Sequence, residues 1–241
     1  MEFQKLWADG PLFAQAEHFR LGTDCVLLSD FVKLNRVRRG IDLGCASGAI
    51  ALLLLCRKES LHMTGLELQA DAVAIARENM EVNGFSSRSQ LLCGDIRCHR
   101  ELFGSGSFDL VVSNPPYFAP GRGLSSPDAD KAAMRQECAT VEELCAAAAP
   151  LLRHGGRFCV VYRPERLYEL MCAMDSAGLA PKRLRFVQGR AEIAPCLVLL
   201  EGRKGGRAGL RIEPPLILND DTMRSTAEWR RITHWEDGEK A

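Results

Sequence analysis

No stretch of this 241-residue chain holds 18 or more consecutive apolar residues, which argues against a membrane-spanning helix. The amino-terminal run Met1-Glu2-Phe3-Gln4-Lys5-Leu6-Trp7-Ala8-Asp9 lacks the basic start and apolar stretch of a secretory signal, so a cytoplasmic protein is expected. Neither charge is in excess: 31 lysines and arginines meet 31 aspartates and glutamates. A nucleic-acid surface would therefore have to come from local clusters rather than bulk charge. Among the ten cysteines no two form a Cys-x-x-Cys pair, and no cysteine cluster is followed by spaced histidines. A zinc site is thus unsupported and no metal is expected. Several cysteines sit in apolar runs such as Phe158-Cys159-Val160-Val161, where a reduced thiol acts as a small hydrophobe. Internal repeats and low-complexity segments are also missing.

What is present is enough apolar sequence, 46% of residues, for one α/β domain spanning 1–241. Residues 1–39 read as an adapter. Thr23-Asp24 is placed to cap a helix from about Cys25 to Asn35, with Val26, Leu27, Phe31 and Leu34 at helical spacing. Beyond Gly40, short apolar runs alternate with amphipathic stretches. Strands are expected near Gly40–Leu43, His62–Leu66, Gln90–Cys93, Phe108–Ser113 and Arg157–Tyr162. Helices are expected near Ala49–Cys56, Ala70–Asn83, Val141–Leu152 and Glu165–Ala177, the second burying Ala72, Ile75, Ala76 and Met80 and ending at Asn83-Gly84. Such alternation predicts a mostly parallel sheet. Leu179–Val187 and Cys196–Glu201 follow with no helix between them, which predicts a C-terminal antiparallel hairpin. That is the Rossmann-like layout of the class I methyltransferase fold, an α/β fold, and not that of a NAD dehydrogenase. Gly202–Gly209 reads as a flexible basic loop, and the charged tail after Asn219 as frayed.

Three acidic residues fall at successive predicted strand ends. Asp42-Leu43-Gly44-Cys45-Ala46-Ser47-Gly48 is a glycine-containing turn that lets backbone approach a ligand at the carboxyl edge of the sheet. Glu67, in Gly65-Leu66-Glu67-Leu68, is placed to accept from both hydroxyls of a ribose. Asp95, in Cys93-Gly94-Asp95-Ile96, could accept from an adenine amine while Ile96 packs on the ring, or it could simply cap the next turn. NAD sites do not need this third acid. The row Asp42, Glu67 and Asp95 favours S-adenosylmethionine, which presents an ammonium, two ribose hydroxyls and an adenine amine.

Asp109-Leu110-Val111-Val112-Ser113-Asn114-Pro115-Pro116-Tyr117 is the most informative stretch. Two prolines stop a buried strand at Asn114 and bias that residue toward an extended backbone. An exocyclic amine on adenine is a poor nucleophile, because its lone pair is delocalised into the ring. The Asn114 side-chain oxygen and the Pro115 carbonyl can hold its two hydrogens and favour a pyramidal nitrogen, while Tyr117 stacks on the base. No strong base is required, since the amine becomes acidic as it is alkylated. Orientation is then the main lever, with effective molarities on the order of 10⁵–10⁸ M for well-aligned pairs.

Together the Asp42–Gly48 turn, Glu67, Asp95 and Asn114–Tyr117 resemble the N6-adenine and N5-glutamine methyltransferases that share an Asn-Pro-Pro-Tyr segment. Within that group the chain is similar to bacterial enzymes that methylate N6 of adenine 37, beside the anticodon of a valine tRNA. The likeness extends through Arg20-Leu21-Gly22-Thr23-Asp24 with Leu27-Leu28, Met134-Arg135-Gln136-Glu137, Arg163-Pro164-Glu165-Arg166-Leu167 and Pro214-Pro215-Leu216-Ile217. It implies that Thr23 and Asp24 line the cofactor pocket, that residues 118–137 form a lid over the base, and that tRNA is the partner. Ala46 stands where the general pattern has a middle glycine, so a weaker or shifted cofactor contact is expected. Glutamine methyltransferases of release factors share the catalytic segment but carry a helical substrate-binding domain ahead of it. About forty residues precede Asp42 here, too few for that domain. Guanine-N2 methyltransferases of ribosomal RNA are a further alternative. A non-catalytic RNA-binding module would be marked by loss of Asn114, Glu67 or the glycine turn, and all three are present. Candidate RNA-contacting groups are Lys182-Arg183-Leu184-Arg185, Arg203-Lys204, Arg207 with Arg211, and the Lys33–Arg39 cluster.

Overall fold

The computed structural model describes residues 2–15, 21–116 and 139–234. Two short strands, β1 (Gln4–Lys5) and β2 (Leu12–Phe13), pair with each other ahead of helix α1 (Thr23–Phe31). The alternating region then delivers β3 (Arg39–Leu43), α2 (Ala49–Arg57), β4 (His62–Glu67), α3 (Ala70–Val82), β5 (Ser89–Cys93), α4 (His99–Leu102) and β6 (Phe108–Ser113). It continues with α5 (Val141–Leu151), β7 (Leu152–Tyr162), α6 (Leu167–Ser176), β8 (Leu179–Gln188) and β9 (Leu197–Lys204). Two short strands, β10 (Arg211–Ile212) and β11 (Leu216–Ile217), and helix α7 (Ala227–Thr233) complete the fold.

The main sheet runs β10-β8-β9-β7-β6-β3-β4-β5, with β11 also on β8. All its pairings are parallel except those of β9, which lies antiparallel between β7 and β8. The expected parallel sheet and terminal hairpin are both observed. Because both faces are covered, the strands are apolar throughout rather than alternating. Leu110 and Val112 pack on one side with α1, α2, α3 and α7, while Val111 packs on the other with α5 and α6. Helix α5 starts at a capping box, in which Thr140 accepts from the Glu143 N–H at 3.2 Å and Glu143 accepts from the Thr140 N–H at 2.8 Å.

Several expectations need correction. Helix α1 stops at Phe31, short of Asn35, because Val32 turns extended. Cations from elsewhere take over the helix-end carbonyls: Arg57 donates to those of Ser29 and Val32, and Arg183 to that of Phe31. Lys58 reaches Leu34 and Val37, and Arg157 reaches Lys33 and Asn35. The cap of α1 is Gly22, without a side-chain bond, so Thr23 and Asp24 lie in the first turn instead of capping it. On α3 it is Val73 and Asn79 that join Ala72, Ala76 and Met80 in the interior, and Ile75 is only partly buried. Gly202, Arg203 and Lys204 continue β9, so the loop there is shorter than expected.

Nor is the segment after Asn219 frayed as far as His234. Asn219 bridges to Ser225, Thr226 caps α7, and Trp229 and Ile232 are buried against the α1 side of the core. Its apolar anchors are too widely spaced among charges to announce a helix. Trp229→Ala should cost about 3–5 kcal/mol, read as a fall in the urea midpoint. An unchanged midpoint would mean that the tail is not part of the core.

Two of the candidate RNA cations are engaged in ion pairs within the chain. Arg183 is nearly buried between Glu201 at 2.9 Å and Glu213 at 3.3 Å, and Arg185 is held by Glu228 at 2.8 Å. The strand directions put Lys33–Arg39, Lys182-Arg183 and Arg203–Arg207 toward the edge where the parallel strands begin. The Asp42–Gly48 turn lies at the opposite edge.

Candidate functional site

Strands β5, β4, β3 and β6 end together at one edge. Glu67 is opposite Cys93, Leu43 opposite Leu66, and Asp42 opposite Val112. From β3 the chain passes to β4 on one side, while β6 lies on the other, so a crevice opens beyond β3 at the point where strand order reverses. In open α/β sheets that is where ligands bind. The edge is braced from within: Ser113 Oγ donates to the Leu43 carbonyl at 2.7 Å, and Gly94 N–H to the Glu67 carbonyl at 2.8 Å.

The predicted cofactor turn folds as a tight loop over β4, with the Gly44 N–H on the Leu66 carbonyl at 2.8 Å. Gly44 and Gly48 take left-handed φ of 75° and 81°. A Cβ on Gly44 would meet nothing within 4 Å, so that glycine faces open space, whereas one on Gly48 would press on Met80 and Ala76 at 3.1 and 3.2 Å. Ala46 is also left-handed, at φ 45°, a conformation that costs a non-glycine residue on the order of 1 kcal/mol. Its N–H donates to Glu67 Oε2 at 2.9 Å, which holds the turn against the acidic residue of the next strand. Asn79, fully buried on α3, donates to the Ser47 carbonyl at 2.9 Å and pairs with both backbone groups of Ala14 at 2.7 Å. Nothing in its spacing singled Asn79 out, yet it ties the amino-terminal arm to the cofactor turn.

The three acids have distinct surroundings. Asp42 is fully buried, and neither carboxylate oxygen has a hydrogen-bond partner among the described residues. Burial and the neighbouring Glu67 push its carboxyl up to about 8. A buried carboxyl with both oxygens unmatched requires a proton or a cation. Glu67, nearly buried, accepts from the Ala46 and Gln69 N–H groups at 2.9 and 3.0 Å. Asp95 adopts the capping alternative: it accepts the Arg97 N–H at 2.8 Å and pairs with that guanidinium, which lowers its carboxyl below the ordinary value. Leu68 is an exposed apolar side chain just past β4, and Ile96, partly buried, packs on the core beneath Asp95.

Asn114 and Pro115 emerge partly buried from β6, with Pro116 exposed beyond them. The Asn114 amide nitrogen lies 3.4 Å from Cys25 Sγ, so the first turn of α1, with Thr23 and Asp24, stands beside the Asn114-Pro115 turn. Thr23 is exposed, its hydroxyl 3.4 Å from Asp24 Oδ1. Tyr117, the 118–137 segment, Arg20 and Met134–Glu137 lie outside the described residues.

The arrangement therefore offers one uncompensated buried acid, a backbone loop with an open side, and a rigid acceptor segment, all at one sheet edge. Residues 5–177 match the methyltransferase small domain. The chain is 31% identical over 223 residues to the tRNA1(Val) (adenine(37)-N6)-methyltransferase of Porphyromonas gingivalis, covering 89% of this chain and 87% of that one. It is 30% identical over 226 residues to the enzyme of the same name from Dickeya chrysanthemi, covering 89% and 86%. Among solved structures, a predicted O-methyltransferase from Agrobacterium tumefaciens superposes with a TM-score of 0.73 at 24% identity, covering 88% of this chain and 95% of that one. TrmN from Thermus thermophilus does so at 0.53 and 19%, over 76% and 47%. These two structures bear on the fold. Since the matched segment takes in every strand of the crevice and the Asn114-Pro115 turn, the chain belongs to the methyltransferase small-domain family, and S-adenosylmethionine is its cofactor.

Proposed function

We propose that this enzyme methylates N6 of an adenine in tRNA, adenine 37 beside the anticodon of a valine tRNA, with Asn114 and Pro115 holding the base. The carrying observation is that the Asn114-Pro115 turn leaves β6 next to β3, one strand away from the unmatched Asp42 carboxylate. The names of the Porphyromonas and Dickeya relatives support the choice of base and of tRNA.

The residues present fit the cofactor. Asp42 would take its ammonium, which supplies the cation that the buried carboxyl lacks. Glu67 keeps lone pairs beyond its two backbone bonds for the ribose hydroxyls. Gly44, with nothing over its α-carbon, leaves room for close backbone approach, and Ala46 and Gly48 hold the loop in shape. Asp95, Ile96, Gly94 and Leu68 would flank the adenine, and Thr23 and Asp24 the methionine end. When bound, S-adenosylmethionine supplies an electrophilic methyl group on a sulfonium. Asn114 Oδ1 and the Pro115 carbonyl accept the two amine hydrogens and turn the nitrogen lone pair out of the ring plane, and Tyr117 stacks on the base. The proton passes to water once the amine is alkylated.

For the RNA we assign the catalytic edge rather than the basic clusters at the far one. Arg163 follows β7, its guanidinium on the Cys196 carbonyl at 3.0 Å, and Arg190 lies in the β8–β9 connection at the same edge. Tyr168, 81% exposed in the first turn of α6, adds an aromatic face. The deciding experiment is methyl transfer from labelled S-adenosylmethionine to total RNA and total protein, followed by nucleoside and amino-acid analysis. N6-methyladenosine in valine tRNA is the expected product. Label on glutamine, or on guanine of ribosomal RNA, would replace the reading.

A further inference from the structure

The catalytic segment has a neighbour that no strand-end pattern includes. An asparagine amide has two orientations that differ by exchange of oxygen and nitrogen, and only one presents Oδ1 as an acceptor for a substrate amine. What faces the nitrogen therefore decides what the oxygen can do. In this structure the Asn114 Nδ2 group donates to Cys25 Sγ at 3.4 Å, across 89 residues of sequence. Cys25 is partly buried in the first turn of α1, and its position is fixed by a backbone bond from its N–H to the Gly22 carbonyl at 3.2 Å.

We propose that Cys25 is a positioning residue, whose sulfur holds the Asn114 amide with nitrogen toward α1 and oxygen toward the base. This rests on the role of Asn114 given above. The Asn114 amide and the Gly22 backbone each act to lower the thiol, as donors beside an accepting sulfur do, but they are outweighed. Burial, the largest effect, together with the nearby Asp42 and Asp24, pushes the thiol up to about 11, so it stays protonated and uncharged at neutral pH. In the flipped amide Oδ1 would take the weak S–H donor, and Nδ2, which can accept no amine hydrogen, would face the base. The contact also joins the helix turn that carries Thr23 and Asp24 to the residue that holds the base.

The test compares Cys25→Ala, Cys25→Ser and Asn114→Ala in the full chain, with steady-state methyl transfer to tRNA, calorimetry with S-adenosylhomocysteine, and melting temperature. Cys25→Ala should lower kcat about tenfold by letting the amide turn, since small misplacements of reacting groups are costly. KM for tRNA and the Kd for S-adenosylhomocysteine should change less than about threefold, the signature of an interaction that matters in the transition state. Cys25→Ser retains an acceptor and should restore kcat to within about threefold of the parent. In the double variant Cys25→Ala/Asn114→Ala the loss should equal that of Asn114→Ala alone, because Cys25 acts only through that amide. An unchanged kcat in Cys25→Ala overturns the inference while leaving Asn114 in place. So does an equal loss in the alanine and serine variants, or one that tracks with weaker S-adenosylhomocysteine binding or a lower melting temperature. Full turnover in Asn114→Ala overturns the base-holding reading itself, and this inference with it.

Discussion

Asp42→Asn raises the melting temperature of the ligand-free protein at pH 8 and weakens S-adenosylhomocysteine binding by at least about a hundredfold. Both effects have one origin. The carboxyl is fully buried and pushed from an ordinary 3.8 up to about 8 by burial and by Glu67. A raised carboxyl makes its full contribution to folding below the unfolded value and loses it as pH climbs through the folded one. The free protein should therefore lose stability steadily between pH 4 and pH 8, on the order of 5 kcal/mol across the window. The asparagine variant has no such slope, so at pH 8 it should melt higher by roughly 5 °C or more. Binding reverses the sign. A ligand ammonium needs the ionised carboxylate, so binding below pH 8 expels a proton and affinity should strengthen by close to tenfold per pH unit between about 6 and 7. Calorimetry in two buffers of different ionisation enthalpy counts that proton. Affinity that is flat with pH, with no proton released, would mean that Asp42 does not meet the ammonium.

Asn114→Ala is the second large effect. Removing the side-chain acceptor leaves the amine planar and its lone pair in the ring, and kcat should fall about 10²–10³-fold, the scale seen when one preorganised polar contact to a reacting centre is deleted. Because β6, Ser113 and the two prolines are untouched, S-adenosylhomocysteine should still bind within about threefold. Asn114→Asp separates geometry from charge: it keeps the acceptor but adds an anion beside the buried Asp42, and its activity should fall further as pH rises. Equal loss of binding and turnover in Asn114→Ala would show that the residue shapes the pocket and does not hold the base.

The main sheet was readable because its strands are buried on both faces, so runs such as Leu110–Ser113 and Phe158–Tyr162 stand out between glycine and aspartate boundaries. The acids could be found by position alone, since a parallel strand delivers its last residue to the same edge every time. Their states could not. Asp42 and Glu67 sit at adjacent strand ends, yet one is unmatched and the other already accepts two backbone bonds, a difference made by the path of the Cys45–Gly48 turn. Asp95 was open between ligand and cap, and position alone could not show that it caps the next turn and pairs with Arg97. What the cations of the basic clusters meet was hidden for a related reason. Arg183 meets Glu201 only because β8 and β9 pair, and which edge of the sheet a cation reaches depends on strand direction. The α7 tail and Asn79 were invisible because each depends on long-range contacts rather than on a repeating pattern.

The ring of cations around the end of α1 also bears on the order in which this chain can mature. Carbonyls of its last turn are claimed by Arg57 and Arg183, and those of the segment that follows by Lys58 and Arg157, with Arg183 152 residues downstream of Phe31. During synthesis the helix emerges early and is completed late, since Arg183 cannot arrive until β8 has left the ribosome. The same helix carries Cys25 to Asn114. A nascent chain that already has the Asp42–Gly48 turn and the Asn114-Pro115 turn therefore still lacks a finished α1, and the proposed site is complete only when nearly all of the sheet is assembled.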